Sequence, residues 1–286
     1  MMKKIVILLS AFLVFISIIL AKEEVYQNQV EKSLKLLKQN EVKEKFSFIV
    51  CSDSHIGFEG ADKIFKKILE EAEKRKTAFV VCCGDLVEKG NFKDWKELRN
   101  ILNNFTLPFF PAIGNHDSFF TNEYYGKYMG DLYYSFDYEN SHFVILDNAQ
   151  IGNNATLYLE PGLKDEQWKW LRKDLTENKK KHKFVFMHFP IFGSRSMLDP
   201  QYIVNTTIEE REKEVKDLEK LFKKANVKYV FNGHIHDYEK NIRSGIIYIR
   251  CGGAGGETSS KNFHFVQVFV DGNKIKDEVI FLNDLK

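Results

Sequence analysis

The sequence has almost no excess charge of either sign. Its 286 residues include 42 basic and 40 acidic side chains, which leaves a net charge of +2 at pH 7. This balance excludes the strongly basic surface expected of a protein that coats nucleic acid. The basic run over residues 179–183 ends a helical pattern, and cations are favoured at that end of a helix. We therefore interpret the run as a solvated helix end and expect no nucleic-acid partner.

Cysteine is scarce, and no two cysteines have the C-x-x-C spacing of a thiolate metal site. Each cysteine lies within or at the end of a strand-like apolar run, where an unpaired thiol packs as a small hydrophobic side chain. We predict buried free thiols, with a disulfide framework as the alternative. The sequence also lacks internal repeats and low-complexity segments, and its length favours one large domain. The four cysteines are Cys51, Cys82, Cys83 and Cys251.

The N-terminus carries a long uncharged run. Lys3 and Lys4 precede a mostly apolar stretch over residues 5–21, which is typical of an export signal. Ile19 occupies a position where a small residue usually precedes cleavage, so an uncleaved membrane anchor is the alternative. Either alternative places the rest of the chain outside the cytoplasm. We expect residues 22–45 to be a tether or short helix and residues 46–286 to be one domain.

Strand and helix patterns alternate from residue 46 onward. The β-α-β-α-β order of the first five predicts parallel strands joined by right-handed crossovers. Two later hairpins, over residues 133–148 and around residues 271–273, predict that antiparallel strands are mixed in. The fold class is therefore α/β, with two packed mixed sheets flanked by helices. The other predicted strands cover 46–51, 77–83, 107–113, 184–187, 229–231 and 246–249, and the helices cover 61–75, 93–104, 163–177 and 209–225.

Side chains that bind metals follow five of these apolar runs. In open α/β sheets, ligand sites gather at the carboxyl ends of strands. Imidazoles, carboxylates and an amide without thiols suit Zn²⁺, Mn²⁺ or Fe²⁺ better than Ca²⁺. Eight such groups are too many for one ion, so we predict two ions that share a carboxylate. The residues are Asp53, His55, Asp85, Asn115, His116, His188, His234 and His236.

These motifs, in this order, resemble the signature of the calcineurin-like metallophosphoesterases over roughly residues 46–255. The resemblance implies a layered α-β-β-α fold and metal-dependent hydrolysis of phosphate esters, and it is strongest to the branch of purple acid phosphatases and cyclic-nucleotide phosphodiesterases. The motifs are Asp53-x-His55, Gly84-Asp85, Gly114-Asn115-His116-Asp117, His188 and Gly233-His234-x-His236.

The resemblance also implies a role for each motif residue. A hydroxide between the two metals would attack phosphorus, His116 would protonate the leaving oxygen, and Asp117 would orient the His116 imidazole. Arg195 is a further candidate contact to the phosphate. The remaining roles are as follows: Asp53, His55 and His236 would hold one metal, Asn115, His188 and His234 the other, Asp85 would bridge them, and Asn115 and His234 would also contact the substrate.

One residue departs from the purple acid phosphatases. They carry a tyrosine three residues after the bridging aspartate, where this chain has Glu88. The resemblance therefore favours a colourless enzyme with two Mn²⁺, Fe²⁺ or Zn²⁺ ions. Our first hypothesis is an exported enzyme that acts on small phosphomonoesters such as nucleotides, although the motifs themselves do not separate monoesters from diesters. The alternatives are a phosphodiesterase on cyclic nucleotides or lipid-linked phosphates, and a non-catalytic binding module tethered to a membrane through residues 5–21. The intact His116 argues against the last, because a binder needs no proton donor.

Overall fold

The computed structural model describes residues 27–39, 44–118, 122–149, 160–203, 205–258 and 262–285. The predicted export signal or anchor lies outside these residues. Within them, no helix is both long enough and apolar enough to cross a membrane. The strands are β1 (Lys45–Cys51), β2 (Val80–Cys82), β3 (Phe109–Pro111), β4 (Tyr134–Tyr138), β5 (Ser141–Ile145), β6 (His182–Phe186), β7 (Val227–Asn232), β8 (Tyr238–Arg243), β9 (Ile246–Cys251), β10 (His264–Asp271) and β11 (Lys274–Phe281).

The helices follow the apolar periodicity of the sequence. Thr207 begins the last of them with a capping box, in which its side chain and Glu210 satisfy each other's backbone N–H groups. Lys179 donates from Nζ to the carbonyl of Thr176, which agrees with a helix end for the basic run. The helices are α1 (Gln29–Gln39), α2 (Ala61–Lys74), α3 (Phe92–Asn103), α4 (Glu123–Tyr128), α5 (Asp165–Glu177) and α6 (Ile208–Lys224).

The strands form two mixed sheets, which confirms the predicted fold class. The first sheet has the order β11-β10-β1-β2-β3 and the second has the order β4-β5-β6-β7-β9-β8. β1, β2 and β3 pair in parallel, as do β5, β6, β7 and β9. The predicted hairpins are present as the antiparallel pairs β4–β5 and β10–β11.

Aromatic side chains fill the space between the two sheets. The ring of Phe48 on β1 lies 5.3 Å from that of Phe143 on β5 and 5.2 Å from that of Phe184 on β6, both edge to face. Alternate residues of β1, such as Ile49, face the other way and pack with α2 and α3. The central strands of each sheet are therefore buried on both faces, which gives four layers: helices, sheet, sheet, helices. All four cysteines are buried and unpaired, as predicted.

The segment predicted as a tether contains a packed helix. Ser33 of α1 donates from Oγ to the Phe109 carbonyl at 2.7 Å and accepts the Phe109 N–H at 2.9 Å. Val30 and Leu37 are buried against the aromatic layer. Gln29–Gln39 thus forms the short helix that was one of the two expectations for this segment, and it covers the edge of the first sheet, which β3 would otherwise expose.

Strand β8 was not predicted from the sequence. Its residues Tyr-Glu-Lys-Asn-Ile-Arg show no apolar alternation, and five of the six are exposed. It lies at the edge of the second sheet and pairs antiparallel with β9. Charged side chains are typical of edge strands, which they protect from pairing with other molecules.

Candidate active site

The predicted metal ligands come together at the carboxyl ends of five strands, three from the first sheet and two from the second. Turns after β1, β2 and β3 supply the ligands from the first sheet, and turns after β6 and β7 supply those from the second. The side chains are buried, apart from part of His236. The ligands are Asp53, His55, Asp85, Asn115, His188, His234 and His236.

The first group of ligands comprises Asp53, His55, Asp85 and His236, whose ligand atoms all lie within 4.8 Å of one another. His236 Nε2 is 3.4 Å from Asp53 Oδ1 and 3.2 Å from His55 Nε2. His55 Nε2 is also 3.6 Å from Asp85 Oδ2. Two imidazole nitrogens that face each other beside two carboxylates form a donor set suited to a divalent ion.

The second group comprises Asp85, His188 and His234, with Asn115 between the two imidazoles. His188 Nε2 is 3.2 Å from Asp85 Oδ2 and 3.0 Å from Asn115 Oδ1. Asn115 Oδ1 is in turn 3.1 Å from His234 Nδ1. Asp85 Oδ2 thus belongs to both groups, which is the arrangement predicted for a bridging carboxylate.

Three of the four imidazoles direct their second nitrogen to a fixed acceptor. The Nδ1 atoms of His55, His188 and His236 lie 2.7 Å from Glu88 Oε2, 2.9 Å from the Cys83 carbonyl and 2.7 Å from the Glu257 carbonyl, respectively. A proton on each Nδ1 leaves the Nε2 lone pair directed at the ligand group, as metal-binding histidines require. The chain therefore fits the metals that the sequence implies.

The charges of the site favour a bound cation. Burial raises the pKa of Asp53, but hydrogen bonds from His236 and His55 outweigh it and hold that pKa well below the usual range. Burial likewise opposes a raised pKa at His55 and His188, yet the facing carboxylates raise these values to about 10 and about 9. Buried carboxylates that draw protons onto neighbouring imidazoles also attract metal ions.

The backbone is strained where it presents these ligands. Asp53, His55, Asp85 and His234 have φ angles of 62°, 43°, 50° and 67°, in the left-handed region that residues with a side chain rarely adopt. Such strain persists only where the surrounding structure holds it, and it clusters at functional sites. Gly114 has no room for a side chain, because a Cβ atom there would overlap Asp85.

The predicted role of Asp117 is wrong. Its Oδ1 accepts the N–H groups of Leu86 and Val87 at 2.8 and 3.0 Å, and its Oδ2 accepts that of Gly114 at 2.8 Å. The His116 imidazole is instead held by the Glu88 carbonyl, 2.6 Å from Nδ1. Asp117 therefore shapes the two turns that carry Asp85 and Asn115, since its carboxylate ties their backbones together.

Two residues that support the ligands were not assigned a role from the sequence. Glu88 contacts His55 through its carboxylate and His116 through its carbonyl. Asn148 is fully buried, and its Oδ1 accepts the N–H groups of His188 and Phe189, both at 3.0 Å. Asn148 follows an apolar run, as the ligands do, so the same rule would have found it.

The loop over residues 193–203 borders the second group. Tyr202 places its hydroxyl 2.9 Å from His234 Nε2, a contact that nothing in the sequence indicated. Arg195 is exposed, and its backbone N–H donates to Asp199 Oδ2 at 2.8 Å. Burial, the charge of His188 and, to a smaller extent, the charge of Arg195 lower the pKa of His234 to about 3.

The fold and the ligand arrangement define a metallophosphoesterase. The sequence profile of the calcineurin-like phosphoesterases matches residues 46–238. This chain therefore belongs to the calcineurin-like phosphoesterase family, a family of metal-dependent phosphoric ester hydrolases, and the predicted enzyme class is confirmed.

Relatives agree with this assignment. The serine/threonine-protein phosphatase CPPED1 of Homo sapiens is 30% identical over 232 residues, which cover 70% of this chain and 72% of the human protein. A dimetal phosphatase from Danio rerio has a TM-score of 0.64 at 15% identity, over 82% of this chain and 98% of that one. A purple acid phosphatase from yellow lupin (Lupinus luteus) has a TM-score of 0.61 at 18% identity, over 86% of this chain and 53% of the lupin chain. At these identities the two structures establish the fold alone.

Proposed function

We propose that this chain is a phosphomonoesterase that hydrolyses small phosphate esters, nucleotides among them, with two divalent metal ions. The carrying observation is the pair of ligand groups that share Asp85 Oδ2. A shared carboxylate suits two ions about 3.5–4 Å apart, the spacing that clamps the oxygens of a phosphoryl group. The name of the human relative, a serine/threonine-protein phosphatase, supports a monoester, because phosphoserine and phosphothreonine are phosphomonoesters.

Mn²⁺, Fe²⁺ or Zn²⁺ are the proposed ions, because the donors of both groups are nitrogen and oxygen atoms. Asp53, His55 and His236 would hold one ion, Asn115, His188 and His234 the other, and Asp85 both. When bound, the ions would lower the pKa of a water molecule toward about 7 and hold the oxygens of the phosphoryl group.

His116 is the proposed proton donor. Its Nδ1 is held by the Glu88 carbonyl at 2.6 Å, which places a proton on Nδ1 and turns Nε2 away from that contact. About a third of the side chain is exposed, which supports a contact between Nε2 and the substrate. The backbone N–H of His116 also donates to Asp85 Oδ1 at 2.8 Å, which fixes the imidazole relative to the bridging carboxylate. His116 Nε2 would hold the proton that the leaving alcohol needs.

Arg195 and the ligands Asn115 and His234 are the proposed contacts to the phosphate. The exposed guanidinium of Arg195 can move to a phosphate oxygen and pair with it in a bidentate manner.

Export, or anchoring with the domain outside the cytoplasm, also belongs to this proposal. It is supported by the lysines and apolar run of residues 1–21, and N-terminal sequencing of the cell-associated protein would distinguish a chain cut after Ala21 from an intact one.

His116→Asn tests the reaction on the full chain loaded with Mn²⁺. The substrates are a nitrophenyl phosphate, an alkyl phosphate and a nitrophenyl phosphodiester. We expect turnover of the alkyl phosphate to fall by about 10² or more, and turnover of the nitrophenyl phosphate to fall less, because nitrophenolate leaves without a proton. Metal content, measured by atomic absorption, should stay at two per chain.

Each outcome separates the candidates. Equal losses on the two monoesters would remove the proton-donor role from His116. Faster turnover of the diester than of either monoester by the unaltered protein would favour the phosphodiesterase. Two bound metals without turnover of any substrate would contradict the proposed hydrolysis and favour a binding module.

A further inference from the structure

His234 meets its ligand group differently from the other three imidazoles. It presents Nδ1, 3.1 Å from Asn115 Oδ1, whereas His55, His188 and His236 present Nε2. Its outward nitrogen is therefore Nε2, which lies 2.9 Å from the Tyr202 hydroxyl. The partner of this outward nitrogen is thus a hydroxyl group, where the other three imidazoles have a carboxylate or a backbone carbonyl.

The position of the imidazole proton fixes the direction of this hydrogen bond. A neutral imidazole whose Nδ1 lone pair faces a metal carries its proton on Nε2. With a metal ion at Nδ1, His234 Nε2 would therefore donate to the oxygen of Tyr202, 2.9 Å away. A phenol oxygen that accepts one hydrogen bond still has its own O–H to donate. The acceptors beside the other three imidazoles, a carboxylate and two carbonyls, have no proton to offer.

The fold holds the Tyr202 hydroxyl in place at the border of the site. Its ring packs edge to face on Phe189 and on His234, with centroid distances of 5.2 and 5.6 Å. Asp199 caps the short 3₁₀ turn Pro200–Tyr202, because its Oδ1 accepts the Gln201 N–H at 3.1 Å. Tyr202 is only half-buried, and its hydroxyl lies beside His234 of the second group, next to where a phosphoryl group held by that group would bind.

We propose that Tyr202 binds the substrate: its hydroxyl accepts the Nε2–H of His234 and donates its own hydrogen to a non-bridging oxygen of the phosphoryl group. The inference deepens the proposed function and rests on it for the substrate. Tyr202 and Arg195 belong to the same loop, and Asp199 ties the two together by accepting the Arg195 N–H. One loop would therefore supply both a neutral and a charged donor to the phosphate.

Tyr202→Phe removes the hydroxyl and keeps the ring that packs on Phe189. The measurement is calorimetric titration of the full chain, loaded with Mn²⁺, with inorganic phosphate, followed by KM and kcat for a phosphomonoester. We expect the Kd for phosphate to rise about tenfold or more, the effect of losing one hydrogen bond to a charged oxygen. KM should rise in parallel, and metal content should be unchanged.

Tyr133→Phe is the matched control, because Tyr133 contacts Trp170 instead of the ligand groups; it should bind phosphate as the unaltered protein does. An unchanged Kd in Tyr202→Phe would overturn the proposal, and so would loss of a metal ion, which would make Tyr202 only a support for His234. If the unaltered protein fails to turn over monoesters but its phosphate affinity depends on Tyr202, the proposed function fails and the binding role stands. Absence of phosphate binding by the unaltered protein would overturn the binding role.

Discussion

At the scale of single residues, side chains and carbonyls next to the predicted metal ligands determine how the ligand imidazoles are oriented. Glu88 is the clearest case, because its carboxylate faces His55 Nδ1 at 2.7 Å while its carbonyl holds His116. Burial opposes a raised pKa at His55, but hydrogen bonds to Asp53 and Glu88 outweigh it. The Glu88 side chain thus makes the imidazole of a predicted metal ligand more basic, and the Glu88 backbone orients the proposed proton donor.

Glu88→Gln should weaken metal binding at the first group by about tenfold or more. A glutamine oxygen still accepts the His55 Nδ1 proton, but without the negative charge that makes the imidazole a stronger ligand. Calorimetric titration of the metal-stripped protein with Mn²⁺ would measure the change. The exposed Glu59 in the turn after β1 provides the control, since Glu59→Gln should leave the affinity unaltered. Equal affinities in the two variants would contradict a tuning role for Glu88.

Asp117 shows why a motif does not settle a role. It stands next to His116 in the sequence, which suggested that it orients the imidazole. Its three hydrogen bonds go to backbone N–H groups instead. Burial and the charge of Asp85 raise the pKa of Asp117 to about 8, because both disfavour the charged form of its carboxyl group. Adjacent residues in a tight turn point in different directions, and only the turn geometry shows where.

At the scale of elements, α1 completes the first sheet. A single hydroxyl, Ser33 Oγ, satisfies both the carbonyl and the N–H of Phe109 on the edge strand β3. β3 in turn leads into the turn that carries Asn115 and His116. The helix N-terminal to the domain therefore supports a strand that positions the site, and it is part of the folded body.

Ser33→Ala should lower the free energy of unfolding by about 1–3 kcal/mol, because both backbone groups of Phe109 would lose a buried partner. Urea denaturation followed by circular dichroism would measure the change. Lys35→Ala, at an exposed position on the same helix, is the control and should change stability little. A stability loss no larger than that of the control would show that α1 does not hold the edge strand.

At the scale of the whole molecule, the site exists because two sheets end at the same place. The first group takes His236 from the second sheet, and the second group takes Asp85 and Asn115 from the first. The aromatic layer that includes Phe48, Phe143 and Phe184 keeps the sheets in register. Any change that lets the sheets slip would separate the ligands of both groups.

The buried charges of the site should couple the stability of the whole domain to pH. In the metal-stripped protein His188 and His55 have pKa values of about 9 and about 10, above the unfolded value of 6.5. The folded state therefore binds more protons than the unfolded state above pH 6.5, and stability falls as pH rises through 9 and 10. We expect the melting temperature to drop between pH 7 and pH 10.

Bound metal supplies the control for this pH dependence. Metal ions displace the protons from the imidazoles, so the drop should be smaller with Mn²⁺ than with a chelator. Differential scanning fluorimetry at pH 7, 8, 9 and 10 would compare the two conditions. If the melting temperature falls as much between pH 7 and pH 10 in Mn²⁺ as in chelator, the titrating protons do not belong to the imidazoles of the ligand groups.

The sequence by itself determined the order of most strands and helices, the two mixed sheets and the residues that come together in the two ligand groups. These follow from local patterns: apolar periodicity marks each element, and polar residues such as Asp53 and His188 stand directly after a strand. The same patterns did not predict the polar edge strand β8, because an exposed strand needs no apolar alternation.

Only the tertiary structure decided which atom of each residue does what. It assigned Asp85 Oδ2 to both ligand groups, turned His234 so that Nδ1 faces inward, and brought Tyr202 to its Nε2. It also showed that the Asp117 carboxyl group binds backbone N–H groups and not the His116 imidazole. These contacts join segments far apart in the chain, and their geometry depends on how the sheets and turns pack, which no local pattern encodes.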